Sequence, residues 1–166
     1  GWYLESIRFF WDIEKKKMKE IIDNCSEQIV IFSRFKAVLK SIKDMYPEAC
    51  LITGATSRKN RKKAIDQFQS GASKIFLLSI HCASVGITLT SGSHMIFMEP
   101  VLDKDMRDQA IGRINRTGQS KKIYIHTLMN DTIDLWMYSA FKTYNSRDSD
   151  KEKRHFFRAE TINYLL

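Results

Sequence analysis

Hydrophobic positions along this chain fall into two kinds of run, and their alternation lays out the elements. Short continuous apolar stretches at Gln28–Ser33, Ala49–Thr53, Lys74–Ser79, His94–Met98 and Lys122–Leu128 have the length of strands buried on both faces of a sheet. Between them, apolar residues recur every three or four positions, as on one face of a helix. Trp2 to Ile22 reads as a long helix with a broad apolar face, closed by Asn24 and Ser26. Arg34 to Met45 is a second helix, stopped by Tyr46-Pro47 because a residue before proline avoids helical geometry. Gly54–Ser57 turns into a helix from Arg58 to Phe68, with Thr56 or Ser57 as its N-cap. Glu99-Pro100 closes the fourth strand, and a helix is expected from an Asp105 cap, with Asp108 three residues on, to a stop at Gly118. Asp131–Asp134 caps a helix reaching about Tyr144, Asn145–Arg154 reads as a mobile loop, and Phe156–Leu166 as a last short helix packing back. Strands separated by helices predict an α/β, three-layer fold on a mostly parallel sheet of about five or more strands. The expected divisions are an N-terminal helix over 1–27, the lobe over 28–144, and a loop with a helical extension over 145–166.

Composition adds a core and a partner. At 166 residues and 43% hydrophobic content the chain is one ordinary domain with material for a core. A formal charge of +8 points to a polyanion. One helix start is unusually basic: Arg58, Lys59, Arg61, Lys62 and Lys63 crowd its first turns. Cations there oppose the helix macrodipole by a few tenths of a kcal/mol. Local stability therefore does not explain them, whereas a phosphate backbone does. Cys25, Cys50 and Cys82 are odd in number and widely spaced, which indicates neither a disulfide framework nor zinc. No metal site is expected, and no apolar run approaches the roughly 18 residues of a membrane span.

The candidate chemistry lies in Gln109-Ala-Ile-Gly-Arg-Ile-Asn-Arg-Thr-Gly-Gln119. At roughly 100° per residue, Gln109, Arg113 and Arg116 share a helical arc of about 60°. Two arginines on one face repel unless an anion lies between them, and the guanidinium fork suits phosphate oxygens. Gly112 flanks that arc, where an interior glycine costs about 1 kcal/mol relative to alanine unless something approaches the backbone. A solvated basic face on a core helix is the other reading of the same geometry.

Gln109-x-x-Gly112-Arg113-x-x-Arg116 resembles motif VI of superfamily-two helicases, and Thr117-Gly118-Gln119-Ser120 resembles its Swi/Snf-type branch of ATP-driven DNA translocases. Other motifs stand in order. The first strand with its Ser33-Arg34-Phe35 exit is similar to motif IV, with Arg34 replacing a glutamine. Leu51, Gly54, Thr56, Ser57, Arg61 and Phe68 keep the register of the family segment that follows. The loop Ile80–Leu89 resembles motif V, which in the family touches both DNA and nucleotide, with Gly86-Ile-Thr88-Leu in place of Gly-Leu-Asn-Leu. Ile80 stands where a phosphate-binding threonine is common, leaving Ser79 or Ser84 to supply a hydroxyl. Ala83-Ser84 stands where a glycine pair is frequent.

The resemblance implies the C-terminal RecA-like lobe of a DNA-dependent ATPase. Arg116 would be the arginine finger, Arg113 its partner, and Gln109 a nucleotide or water positioner. Gly86, Thr88 and Gly112 would line the nucleotide, and Ser33, Arg34, Arg58, Arg61, Lys62, Lys63, Ser79 and Ser84 the DNA backbone. The chain holds no Gly-x-x-x-x-Gly-Lys-Ser/Thr and no strand ending in Asp-Glu. ATP and Mg2+ would therefore be held mainly by a first RecA-like lobe, and this chain alone would be inactive and bind neither. The implied partners are that lobe, DNA irrespective of sequence, and chromatin or repair proteins. Localisation would be nuclear in a eukaryote and cytoplasmic otherwise, without secretion or membrane. The alternatives are a catalytically silent lobe kept as a nucleic-acid- or protein-binding module, and a nucleotide-binding domain unrelated to helicases.

Overall fold

A computed structural model describes residues 2–129 and 159–165. The elements in chain order are α1 Trp2–Asp23, β1 Ile29–Ser33, α2 Lys36–Met45, β2 Cys50–Ile52, α3 Arg58–Gln69, β3 Ile75–Ser79, β4 His94–Phe97, α4 Lys104–Ile111, β5 Ile123–Met129 and β6 Ala159–Leu165. A single 3-10 turn, Ile80–Cys82, follows β3. The strands form one six-stranded sheet in the order β2-β3-β1-β4-β5-β6, and every described pairing is parallel.

Successive residues of a strand face opposite sides of the sheet, so a continuous apolar run supplies two cores at once. Val30 and Phe32 join Phe68, Phe76, Phe97 and Ile114 on the side of α3 and α4. Ile29 and Ile31 join Met18, Ile22, Leu39 and Ile42 on the side of α1 and α2. Phe32 stacks on Phe97 and Phe68 meets Phe76 edge-on, both at 5.3 Å between ring centroids. Each geometry is favoured by the ring quadrupoles. The result is the expected three-layer α/β fold.

Chain order around β1 creates the functional edge. The connection after β1 runs towards β2, whereas that after β4 runs the other way towards β5. Loops therefore diverge between adjacent β1 and β4, a switch point at which open α/β sheets leave a crevice beyond the strand ends.

Two local expectations are corrected. The expected helix over 156–166 is, in its described part, the parallel strand β6, registered on β5 from Ile123↔Ala159 to Met129↔Leu165. A short run holding Thr161, Ile162 and Tyr164 carries little helical preference, and the open edge of β5 supplies a ladder of backbone partners. The arginine helix is shorter than expected. Asp103, not Asp105, caps α4, its carboxylate accepting from the Met106 N–H at 3.0 Å. The helix ends at Ile111 with Gly112 as C-cap, so Gly112 is not interior and Arg113 and Arg116 lie on the turns beyond. The helix expected over 131–144 and the loop over 145–154 lie outside the described residues.

Candidate nucleotide and nucleic-acid interface

The turns after α4 are held from outside the helix. The Arg113 carbonyl accepts from the Leu89 N–H at 2.8 Å. The Gln119 amide donates to the carbonyls of Ile114, Thr90 and Gly92 at 3.1, 3.1 and 2.9 Å. Gly118 closes the turn at φ 100°, a conformation suited to glycine. At Gly112 an added Cβ would lie 3.2 Å from the Asp108 carbonyl, a close approach within the chain's own backbone.

Both arginines project from this stapled turn. Arg113 Nε donates to the Gln109 carbonyl at 3.1 Å. Arg116 Nη1 donates to Thr88 Oγ1 at 3.0 Å and to the Ile87 carbonyl at 3.3 Å. Among the described residues neither guanidinium has a carboxylate within ion-pair distance. Burial lowers the pKa of Arg113, and the nearby positive charge of Arg116 lowers it further. Gln109 is exposed beside them. The sequence placed these three on one helical arc; the fold brings them together through a turn instead.

The Ile87–Thr88 segment also forms one wall of an open groove of about 400 Å³, faced by Arg58, Arg61, Lys62 and Ile65 of α3. Gly86, on the same wall, has φ 42°. Ser57 caps α3, accepting from the Asn60 N–H at 3.2 Å. Arg58, Lys62 and Lys63 are exposed. Arg61 is spent differently from its neighbours: Nε donates to the Thr56 carbonyl at 2.9 Å and Nη2 to the Thr53 carbonyl at 3.4 Å. It ties the loop before α3 to the helix rather than standing free.

Of the hydroxyls nominated for phosphate, Ser84 is exposed, whereas Ser33 and Ser79 are buried at 1% and 3% exposure. Ser33 donates to the Glu99 carboxylate at 3.1 Å and accepts from the Phe35 N–H at the same distance. The Arg34 N–H donates to Glu99 Oε1 at 2.6 Å, leaving the Arg34 side chain exposed over the Phe35 ring. Sequence reasoning missed Glu99, which bridges β4 and β1 at the switch point. Its one local signal was an acidic residue directly following a buried strand.

A second polar cluster was also missed, on the side of the sheet facing α1. His94 Nδ1 and His126 Nε2 lie 3.1 Å apart, His126 Nδ1 is 3.2 Å from the Tyr164 hydroxyl, and His94 Nε2 is 3.6 Å from Glu27. One direction of donation fits the row, Tyr164 to His126 and His126 to His94, leaving His94 Nε2 facing the Glu27 carboxylate beyond hydrogen-bond distance. Glu27 accepts from Ser93. Burial, reinforced by the proximity of His94 and Lys17, lowers the His126 pKa to about 4, and burial lowers that of His94.

A parallel sheet with its motif-bearing loops gathered at one edge is the architecture of a RecA-like motor lobe. The chain belongs to the family described as helicase conserved C-terminal domain, which it matches over residues 14–118, and is a C-terminal lobe of Swi/Snf type. Its relatives include DNA repair protein RAD5 of Saccharomyces cerevisiae, 30% identical over 86% of this chain and 14% of that protein. The DNA (cytosine-5-)-methyltransferase DMT5 of Cryptococcus neoformans is 29% identical over 77% of this chain and 6% of its own length. The chain thus spans a small part of these relatives. Among solved structures, the C-terminal part of the Fun30 ATPase domain superposes with a TM-score of 0.67 at 24% identity, covering 87% of this chain and 54% of that one.

Proposed function

We propose that this chain is the second motor lobe of an ATP-driven DNA translocase. It offers Arg116 and Arg113 to the phosphates of ATP held by a first lobe, with Gln109 beside them. Exposed Arg58, Lys62 and Lys63 meet the DNA backbone across the groove, with Arg34 and Ser84 at the same edge of the sheet. Arg61 contributes by holding the loop that presents this surface. Gly86, Thr88 and Gly112 frame the nucleotide side. Chromatin or repair proteins are the expected wider partners, in the nucleus of a eukaryote; no described helix is long and apolar enough to cross a membrane.

The observation that carries this reading is a pair of guanidiniums with no carboxylate within ion-pair distance among the described residues, that of Arg116 bonded to a loop that also walls a basic groove and that of Arg113 to the Gln109 carbonyl. A guanidinium that no carboxylate neutralises keeps its full charge, and the exposed Arg116 can turn it towards an anion. During phosphoryl transfer charge shifts on the phosphate oxygens, and such fingers are worth about 10³–10⁵ in rate. In this reading ATP and Mg2+ are held mainly by the first lobe, because the chain has no Gly-x-x-x-x-Gly-Lys-Ser/Thr and no strand ending in Asp-Glu.

In the intact two-lobed protein, Arg116→Ala is expected to lower kcat by about 10²-fold or more with a smaller change in ATP affinity, because the lost interaction strengthens only in the transition state. Arg116→Lys should restore little, since an ammonium lacks the planar fork. Near-normal kcat in Arg116→Ala, with a melting temperature several degrees lower, would sink the finger role. That result would favour a silent binding lobe.

A further inference from the structure

We infer that Phe35 is a stacking platform for an unpaired nucleobase, so that the lobe holds single-stranded DNA by a base as well as by phosphates. The inference rests on the DNA contact proposed above. Among the described residues only Phe35 and Val85 are large, hydrophobic and exposed, and Phe35 is 52% exposed. It follows β1 just beyond Ser33, whose register partner is Ser79 at the end of β3. The ring therefore stands at the same end of the sheet as the basic groove, one wall of which follows β3.

The backbone under the ring is held on both sides. The Phe35 N–H donates to Ser33 Oγ at 3.1 Å, and the Arg34 N–H before it donates to Glu99 Oε1 at 2.6 Å. The Phe35 carbonyl accepts from the Leu39 N–H at 3.2 Å as α2 begins. An aromatic side chain with two torsions on a fixed backbone loses little freedom when it is stacked upon.

The surroundings of the ring select its occupant. The Arg34 guanidinium lies over it, 5.2 Å from the centroid, and Arg34, Lys36 and Lys40 are all exposed. The core of a protein interface is depleted of charge, so a lone ring fenced by cations is a poor seat for an apolar protein surface. A nucleotide suits both features, because its base presents a π-face and its phosphate a negative charge. Inside a duplex the faces of a base are covered by its neighbours, so the base that reaches Phe35 is an unpaired one.

The test titrates the intact two-lobed protein, without ATP, against three labelled probes in fluorescence anisotropy. They are oligothymidine, a duplex, and an abasic oligonucleotide that keeps only the sugar-phosphate chain. Phe35→Leu keeps an apolar side chain and removes the π-face. It should weaken oligothymidine binding by about tenfold and leave the duplex and the abasic chain within about twofold of wild type. Phe35→Trp should bind oligothymidine at least as well as wild type, since a larger π-face stacks as well or better. Equal loss on all three probes would make Phe35 a structural support of this edge and overturn the inference. Loss on the duplex alone would make it a wedge between paired bases, and oligothymidine binding unchanged in Phe35→Leu would leave the ring to another surface; either result overturns the platform. A wild-type protein that binds none of the probes would instead overturn the DNA contact on which the platform depends.

Discussion

Acid should destabilise this chain chiefly through one buried histidine. His126 is 5% exposed and its pKa is lowered to about 4. The unfolded chain keeps the ordinary value of about 6.5. Between those values the unfolded state binds a proton that the folded state refuses, so stability is full above about pH 6.5 and falls as pH drops towards 4. The difference of about 2.5 units corresponds to about 3 kcal/mol, of which about 2 kcal/mol is already lost at pH 5. The charged and titratable groups around it are Lys17 and Glu20 of α1, Cys25, His94 of β4 and Tyr164 of β6. Lys17, with its Nζ 4.4 Å over the Tyr164 ring, opposes a second positive charge. Glu27 reaches the row only through His94. His126→Phe keeps a flat ring between His94 and Tyr164 and removes the titration. It should cost about 1–2 kcal/mol at pH 7.5 by leaving the Tyr164 hydroxyl without its acceptor. Urea unfolding from pH 4.5 to 7.5 should then show a profile flatter than wild type by about 1 kcal/mol per pH unit between 5 and 6. Carboxylates titrate in both proteins and cancel in the comparison. Parallel profiles for wild type and His126→Phe would refute the reasoning.

Two further outcomes follow from the basic groove and the divided active site. Duplex DNA should bind weakly and without sequence preference, log affinity falling linearly with log salt, and Lys62→Glu with Lys63→Glu should flatten that slope by about one to two units in a fluorescence-anisotropy titration. Salt-insensitive binding would contradict a backbone contact. The chain by itself should release phosphate from ATP no faster than buffer, with or without DNA, since its sequence holds no Gly-x-x-x-x-Gly-Lys-Ser/Thr to cradle the phosphates. Steady turnover lost on Arg116→Ala would show that the division of labour between lobes is wrong.

Much of the fold was legible because local rules govern it. A five-residue run such as Ile29–Ser33, buried along its whole length, is apolar on both faces and announces a central parallel strand. Ser57 is the cap that its type and position suggested, with its side-chain oxygen on the N–H three residues ahead. Phe68 is fully buried, as its place in the motif register implied. The candidate site was legible in outline, because the spacing of Gln109, Arg113 and Arg116 is itself the signature. Its detailed contacts were not. Arg61 has the same charge as Lys62 one residue on, yet it is consumed by carbonyls at Thr53 and Thr56. Ser33 and Ser79, nominated for phosphate, end their strands as expected but are buried inside the sheet.

The sequence by itself determined where the chain is apolar, where helices can start, and which residue types stand ready for phosphate, since each depends on neighbours within a few positions. Only the tertiary structure decided which oxygens and N–H groups those residues meet. The helix carrying Gln109 ends at Ile111, and the Arg113 carbonyl just beyond it meets the Leu89 N–H, a partner 24 residues away in sequence. Arg116 meets Thr88 in the same loop, which the β3-β1-β4 order of the sheet carries past the central strand. β6 is a strand in the same way, because β5 left an unpaired edge beside it. A backbone group buried without a partner is costly enough that the nearest available partner, wherever the fold brings it from, overrides weak local preference.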